Sequence, residues 1–277
     1  MTSFAHVLGS PFAGVYSTHI DSDQHFGRHW HDTYGFGFLE HGAQAWLSWR
    51  GVVRGYPGEV ISTNPGEVHD GRPLVRPTRR WRIVYIDPDV MHRLIEHESS
   101  DLVIGNPVVR DPILTGALRL LFARLERWNS KRPSHTAALA CEEALVDCCV
   151  QLMARHGSAP LSAHVPSAPL ARVRERLADE SRAPSLADLA LMTGLSRSQV
   201  LRRFQATYGL PPHAWVLRQR AERARLLIRE GRTLAAAALA CGFVDQSHMN
   251  RAFVRQFGFT PGAWRKASLP VRNSVQD

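Results

Sequence analysis

Two clusters of side chains in the C-terminal part of this 277-residue chain are suited to reading nucleobases. In the first, Ser198, Leu201, Arg202 and Gln205 fall on one side of a helix whose other side carries Val200 and Phe204, four apart. A guanidinium can bond guanine O6 and N7 together and a leucine can meet a thymine methyl, so Arg202 and Leu201 are the candidate readers there. In the second, Met249, Phe253 and Phe257 recur every four residues and must face inward. That leaves Ser247, Asn250, Arg251 and Val254 as an outward stripe, flanked by Gln246 and His248. Asn and Gln suit adenine, and Arg suits guanine.

Each cluster needs a helix held at a fixed angle by another. Ser185, with Asp188 three residues on, predicts a helix start, and Thr193-Gly194-Leu195 predicts its end. Ser196 and Gln199 form a second capping box before the first reading helix, so the order is helix, short glycine turn, helix. The pattern recurs about 49 residues later: Thr233, a helix from Leu234 to Cys241, a turn at Gly242-Phe243, and a second reading helix from Gln246 to Phe257. Thr260-Pro261 starts a last short helix whose Trp264 is expected to pack beneath the unit. Pro212 to Arg229 predicts one rigid connecting helix. At ~1.5 Å per residue it spans roughly 25 Å, enough to help set two reading helices in successive major grooves about 34 Å apart.

Charge agrees with a nucleic-acid partner. Ser167 to Asp277 holds 18 Arg/Lys against 8 Asp/Glu, a net of +10, whereas Met1 to Pro166 holds 16 against 17, a net of −1. A basic field confined to one half of the chain is the electrostatic footprint of a nucleic-acid-binding domain.

From about Leu170 to Lys266 the chain resembles the DNA-binding domain of the AraC/XylS family of transcriptional regulators. The resemblance rests on Ala240-Cys241-Gly242-Phe243, Asp245-Gln246-Ser247-His248, Arg251-Ala252-Phe253 and Gly258-Phe259-Thr260-Pro261-Gly262-Ala263-Trp264-Arg265. Gly194-Leu195-Ser196, Arg202-Arg203-Phe204 and Tyr208-Gly209 fit the first unit of the same pattern. It implies that Ser198, Leu201 and Arg202 in one helix, and Gln246, Ser247, His248, Asn250 and Arg251 in the other, approach the bases of double-stranded promoter DNA. Contact with RNA polymerase is a further expectation from the resemblance.

At this length two domains are expected. No apolar run reaches the ~18 residues of a membrane span, and the N-terminus does not read as a signal peptide, so a cytoplasmic protein with no membrane partner is expected. Cys141, Cys148, Cys149 and Cys241 show neither disulfide nor metal-ligand spacing and read as buried small hydrophobes.

Residues 33 to 86 change character. His41-Gly42, Arg50-Gly51, Pro57-Gly58, Pro65-Gly66 and Asp70-Gly71 separate short Val-, Ile- and aromatic-rich segments, which predicts an antiparallel sandwich or barrel. Gly27-Arg28-His29-Trp30-His31 with Glu40, and Pro57-Gly58-Glu59 with Pro65-Gly66-Glu67-Val68-His69, resemble the two cupin motifs. In metal-binding cupins the matching positions here would be His29, His31, Glu40 and His69. Glu40 stands nine residues after His31, farther than the metal motif has it, so no metal or other cofactor is expected. The resemblance instead implies a small-molecule effector pocket, with His29, His31, Tyr34, Trp49 and His69 as candidate lining residues. Arg28, Arg72 and the run Arg79, Arg80, Arg82 are available to an acidic ligand or to solvent.

Pro112 to Trp128 and Ala137 to His156 predict two amphipathic helices with more apolar surface than one barrel side needs, and in the family such helices resemble a dimer interface; a homodimer is expected. The predicted fold is α+β in two domains. Residues 1–156 form a cupin-like β-barrel with two following helices, 157–169 a linker, 170–268 an all-α domain of two helix-turn-helix units joined by a long helix, and 269–277 a tail. The function expected is sequence-specific transcriptional regulation under effector control, and not catalysis. The alternatives are a metal-dependent cupin enzyme with an appended DNA-binding domain and an effector-independent architectural protein.

Overall fold

A computed structural model of the chain describes residues 4–48, 51–74, 78–95, 102–130, 135–158, 168–178 and 184–268. The N-terminal part runs through β1 (Phe4–Gly9), β2 (Val15–Ser22), β3 (Phe26–His29), β4 (Tyr34–His41), β5 (Gln44–Ser48), β6 (Gly51–Gly55), β7 (Val60–Thr63), β8 (His69–Pro73) and β9 (Arg79–Ile86). It continues with α1 (Pro88–Leu94), β10 (Val103–Ile104), β11 (Val108–Val109), α2 (Pro112–Ser130), α3 (His135–His156) and β12 (Gly157–Ser158). One sheet has the order β1-β2-β9-β4-β7-β11, a second has β3-β8-β5-β6, and β10 pairs with β12. The two larger sheets make the cupin-like barrel the sequence predicts.

Strand periodicity decides what faces inward. Along β4, Tyr34, Phe36 and Phe38 point to one side, into a core shared with Val84 and Ile86 of β9 and with Leu114, Leu118, Phe122, Leu145 and Leu152 of α2 and α3. Gly35, Gly37 and Leu39 point to the other. A Cβ at Gly37 would stand 1.8 Å from the Arg82 carbonyl oxygen, so glycine lets β4 and β9 close up there. Asp111, immediately before α2, accepts from the Ile113 and Leu114 amides at 3.1 Å each and pairs with Arg155 and His156 at the end of α3, which fixes the two helices as a hairpin.

The C-terminal part comprises α4 (Ala168–Ala178), α5 (Leu186–Thr193), α6 (Arg197–Tyr208), α7 (Pro212–Arg229), α8 (Leu234–Ala240), α9 (Gln246–Phe257) and α10 (Pro261–Ser268). Both predicted capping boxes form, and Gly194, at φ 68°, makes the left-handed turn between α5 and α6. The first unit packs Leu189, Val200 and Phe204 on Leu170, Val173 and Leu177 of α4, a helix the sequence reading did not name. Gly157 and Ser158, at the head of the expected linker, pair with β10.

The second unit shares its core with the barrel. Phe253, Phe257, Phe259 and Trp264 cluster with Tyr16 of β2 and Tyr85 of β9. Trp264 meets Tyr16 edge-on, with centroids 4.7 Å apart, and donates its Nε1–H to the Arg225 carbonyl at 2.8 Å. It packs beneath the unit as predicted and against the barrel as well. Cys141, Cys148, Cys149 and Cys241 are buried thiols. Burial pushes Cys148 up to about 12 and raises Cys141 and Cys149 too, so these three stay protonated. Among the described residues no helix is long and apolar enough to cross a membrane.

Candidate functional site

Helices α6 and α9, which the sequence nominates as readers, start from well-made caps. Ser196 Oγ accepts from the Gln199 amide at 3.2 Å, and Gln199 Oε1 accepts from the Ser196 amide at 2.9 Å. At the head of α9 the Asp245 carboxylate accepts from the His248 amide at 2.6 Å. With Val200 and Phe204 fully buried, Ser198, Leu201, Arg202 and Gln205 lie exposed on α6. On α9 Met249, Phe253, Gln256 and Phe257 turn inward, while Gln246, Ser247 and Arg251 are exposed and His248, Asn250 and Val254 are half-buried. His248 gives part of its ring to Phe243, edge-on with centroids 5.3 Å apart. Asn250, Arg251 and Val254 share a crevice with Gln24, His25, Phe26 and Gly27 of the barrel.

The inward face of α9 reaches the second site. A cavity inside the barrel is lined by His29, His31, His69 and Tyr85 and is closed by Gln256 and Phe257. His29 and His69 stand opposite each other on β3 and β8. Their ring centroids lie 4.3 Å apart, and those of His31 lie 5.0 Å from His29 and 5.4 Å from His69. His29 Nδ1 donates to the Gly27 carbonyl at 2.7 Å and His69 Nδ1 to the Glu67 carbonyl at 2.9 Å. Burial, reinforced by the neighbouring imidazoles, pushes His29 well below the usual histidine range and His69 down to about 3, so both rings are neutral. The Phe257 ring lies over His31 with centroids 5.8 Å apart.

The next layer belongs to the other domain. His31 Nδ1 is 3.8 Å from Glu222 Oε1 on α7, and Glu222 Oε2 accepts from Arg225 at 2.8 Å. Burial alone would raise the Glu222 carboxyl, but Arg225 and His31 outweigh it and bring it down to about 2. Gln256 donates from Nε2 to both Glu222 and the Trp30 carbonyl at 3.4 Å.

Of the expected lining residues His29, His31 and His69 border the cavity and Tyr34 does not. Tyr34 faces the helix-side core with Phe36 and Phe38, and its hydroxyl donates to the Leu102 carbonyl at 2.7 Å; Tyr85 occupies the cavity-side position. Trp49 lies outside the described residues, and Trp46 lines the cavity. Glu40 is on the same face of β4 as Phe38, so it meets His19 at 3.0 Å and Arg82 at 2.6 Å instead of the histidines. Of the arginine run only Arg79 borders the cavity, donating to Gln44, Gln24 and Gly71. Arg80 pairs with Asp21, and Arg82 with Glu40 and Glu126. Alternation along β9 marks Trp81, Ile83 and Tyr85 as one face, a signal present in the sequence, whereas Gln256, Phe257 and Glu222 are brought in by docking alone.

A barrel holding a cavity lined by aromatic and aliphatic side chains with three histidines, joined to tandem helix-turn-helix units, fits a ligand-binding DNA regulator. Residues 13–146 match the model of the AraC-like ligand binding domain and residues 189–267 that of a helix-turn-helix domain. The chain belongs to the AraC family of transcriptional regulators. It is 28% identical over 232 residues to the uncharacterized HTH-type transcriptional regulator YbfI of Bacillus subtilis, covering 82% of each chain. A putative AraC-like transcription regulator of Streptomyces lividans is 40% identical over 89 residues, 32% of this chain and 29% of that one. Among solved structures, the apo form of a ToxT variant from Vibrio cholerae superposes with a TM-score of 0.52 at 11% identity, covering 94% of this chain and 99% of that one, and shares the two-domain fold. The protein is a sequence-specific, DNA-binding transcriptional regulator with an effector-binding N-terminal domain.

Proposed function

We propose that Ser198, Leu201 and Arg202 on α6, with Gln246, Ser247, His248, Asn250 and Arg251 on α9, read the operator, and that an effector in the barrel cavity controls them through the seating of α9. The observation that carries this is the division of α9 itself: Ser247, Asn250 and Arg251 lie on one side, while Gln256 and Phe257 close the cavity on the other. An effector that favours one seating of α9 over another shifts promoter occupancy by its difference in affinity for the two. His29, His31 and His69 are the effector-facing residues of the set read from sequence. A role as regulator and not enzyme is favoured by relatives named as transcriptional regulators.

The working division is a sensing and dimerising unit over residues 1–156, a connector over 157–169 and a DNA-binding unit over 170–268. A homodimer through α2 and α3 is favoured by Ile113 and Leu120, seven apart on α2, and Leu139 and Val150, eleven apart on α3, all exposed and each pair on one helix face. Contact with RNA polymerase at the promoter and residence in the cytoplasm, beside its DNA, complete the reading. Binding-site selection with purified protein at physiological salt tests it. The expected product is a motif with two half-sites about one helical turn apart; folded protein that selects no motif would overturn it.

A further inference from the structure

The three histidines of the cavity are arranged as ligands, and not only as lining. The Gly27 and Glu67 carbonyls accept from Nδ1 of His29 and His69, so Nε2 is the lone-pair nitrogen each ring has left. His31 turns its Nδ1 toward the Glu222 carboxylate, the same kind of outward acceptor, at 3.8 Å. One nitrogen from each of the three rings falls within 4.8 Å of the other two. An ion with metal–nitrogen bonds of ~2.0–2.1 Å holds its nitrogens roughly 3.4 Å apart in a tetrahedral set, a spacing that small ring rotations reach. Metal-bound imidazoles characteristically pass their second N–H to a carbonyl or carboxylate, as His29 and His69 do here, while His31 faces the Glu222 carboxylate.

Two further observations bear on the occupant. His31 Nδ1 is buried without a hydrogen-bond partner among the described residues, a costly state that a cation on the ring's other nitrogen relieves by strengthening its pull on Glu222. The cavity is about 80 Å³, small beside the ~300–1,000 Å³ of pockets for larger organic ligands. It has room for an ion with a water or one small ligand. Neutral imidazole donors suit a first-row transition metal better than calcium or magnesium, which prefer oxygen.

We propose that His29, His31 and His69 bind a divalent first-row transition-metal ion, and that Glu222 of the DNA-binding domain, whose carboxylate stands 3.8 Å behind the His31 ring, ties occupancy of that site to the docking of α7 on the barrel. The inference rests on the barrel as the sensing part of the regulator. Glu40, at the motif position whose spacing did not fit a metal set, faces away from the histidines, and the carboxylate near the cluster is Glu222 of the DNA-binding domain. A cation bound to His31 makes its Nδ1–H a better donor and draws the Glu222 carboxylate, 3.8 Å away, toward the ring. Glu222 in turn is held by Arg225 on its own helix and by Gln256 on α9, so the link runs from the ion to the second reading helix. By linkage, metal and operator then change each other's affinity by the same factor.

The test uses full-length protein stripped with chelator and titrated with Co²⁺, then Zn²⁺. Expected are one equivalent of Co²⁺ with visible ligand-field bands, displacement by Zn²⁺, and loss of binding in folded His29→Ala and His69→Ala variants. Glu222→Gln is expected to keep the site but weaken Co²⁺ binding about 10- to 100-fold. A wild-type measurement covers the case in which that variant does not fold: Co²⁺ affinity is compared for protein free and bound to a duplex selected from a random pool, and the two are expected to differ. Absence of Co²⁺ binding to folded wild type overturns the site. Equal affinities, free and bound, overturn the tie to docking. If metal-free protein selects a defined operator while Co²⁺ fails to bind, this inference falls and the regulator reading stands. If no operator is selected, that reading falls while the Co²⁺ titration still reports on the site.

Discussion

Arg229 on α7 donates to the Asp87 carboxylate, between β9 and α1, at 2.7 Å, and so fastens the helix that joins the two reading units to the frame of the barrel. Arg225, one turn earlier, approaches the same carboxylate at 3.7 Å and lies over the Tyr16 and Trp264 rings, each centroid 5.4 Å away. The seating of the DNA-binding domain therefore combines charge with aromatic packing. Because Arg229 is partly exposed, its pair with Asp87 is worth less than a fully buried one. A double-mutant cycle of Asp87→Ala and Arg229→Ala, read by denaturant unfolding, is expected to give a coupling of about 0.5–2 kcal/mol. A coupling near zero would remove this pair from the docking interface.

Arg202 and Arg251 are both exposed, on α6 and α9. Arg202→Ala and Arg251→Ala are each expected to weaken operator binding by roughly 1–3 kcal/mol and to relax the base preference at one position. Competition binding against operators varied one base pair at a time measures this. Equal weakening on every sequence, with a shallower salt dependence, would assign the arginine to phosphate instead.

The helical half was legible because its signals are local. Ser185, Ser196 and Thr233 cap their helices where the sequence starts them, and the four-residue recurrence of Met249, Phe253 and Phe257 fixed which face of α9 turns inward. The barrel was legible as a class but not face by face. Tyr34 and Glu40 share the β4 face that meets α2, a matter of which side the helices cover, and strand alternation alone is symmetric between the two sides. The closure of the cavity was not legible at all. Gln256 meets the Trp30 carbonyl across 226 positions of chain, and no local pattern encodes that contact.

The exposed leucines of α2 and α3 give the test of assembly. Leu120 is 48% exposed and Leu139 55%, so neither supports the core of its own chain. Leu120→Glu together with Leu139→Glu is expected to convert a dimer to a monomer in sedimentation velocity, with the unfolding temperature of the monomer little changed. A variant that still sediments as a dimer would move the interface off these helices.

Asp111 gives the pH dependence. Burial alone would raise its carboxyl, but the Leu114 amide, His156 and Arg155 together hold it below the usual aspartate value of 3.8. A group whose folded pKa is depressed contributes stability that is fully present above its unfolded pKa and lost as pH falls through the folded one. Asn at this position can still cap α2 but carries no charge for Arg155 and His156. Asp111→Asn is therefore expected to unfold at a lower temperature than the wild type above about pH 5, and the gap should close as pH falls below about 4. Asp111→Ala, which loses the cap as well, should cost about 0.5–2 kcal/mol beyond the Asn variant at every pH. A gap between wild type and Asn variant that does not vary with pH would assign the contribution of Asp111 to its cap hydrogen bonds and not to its charge.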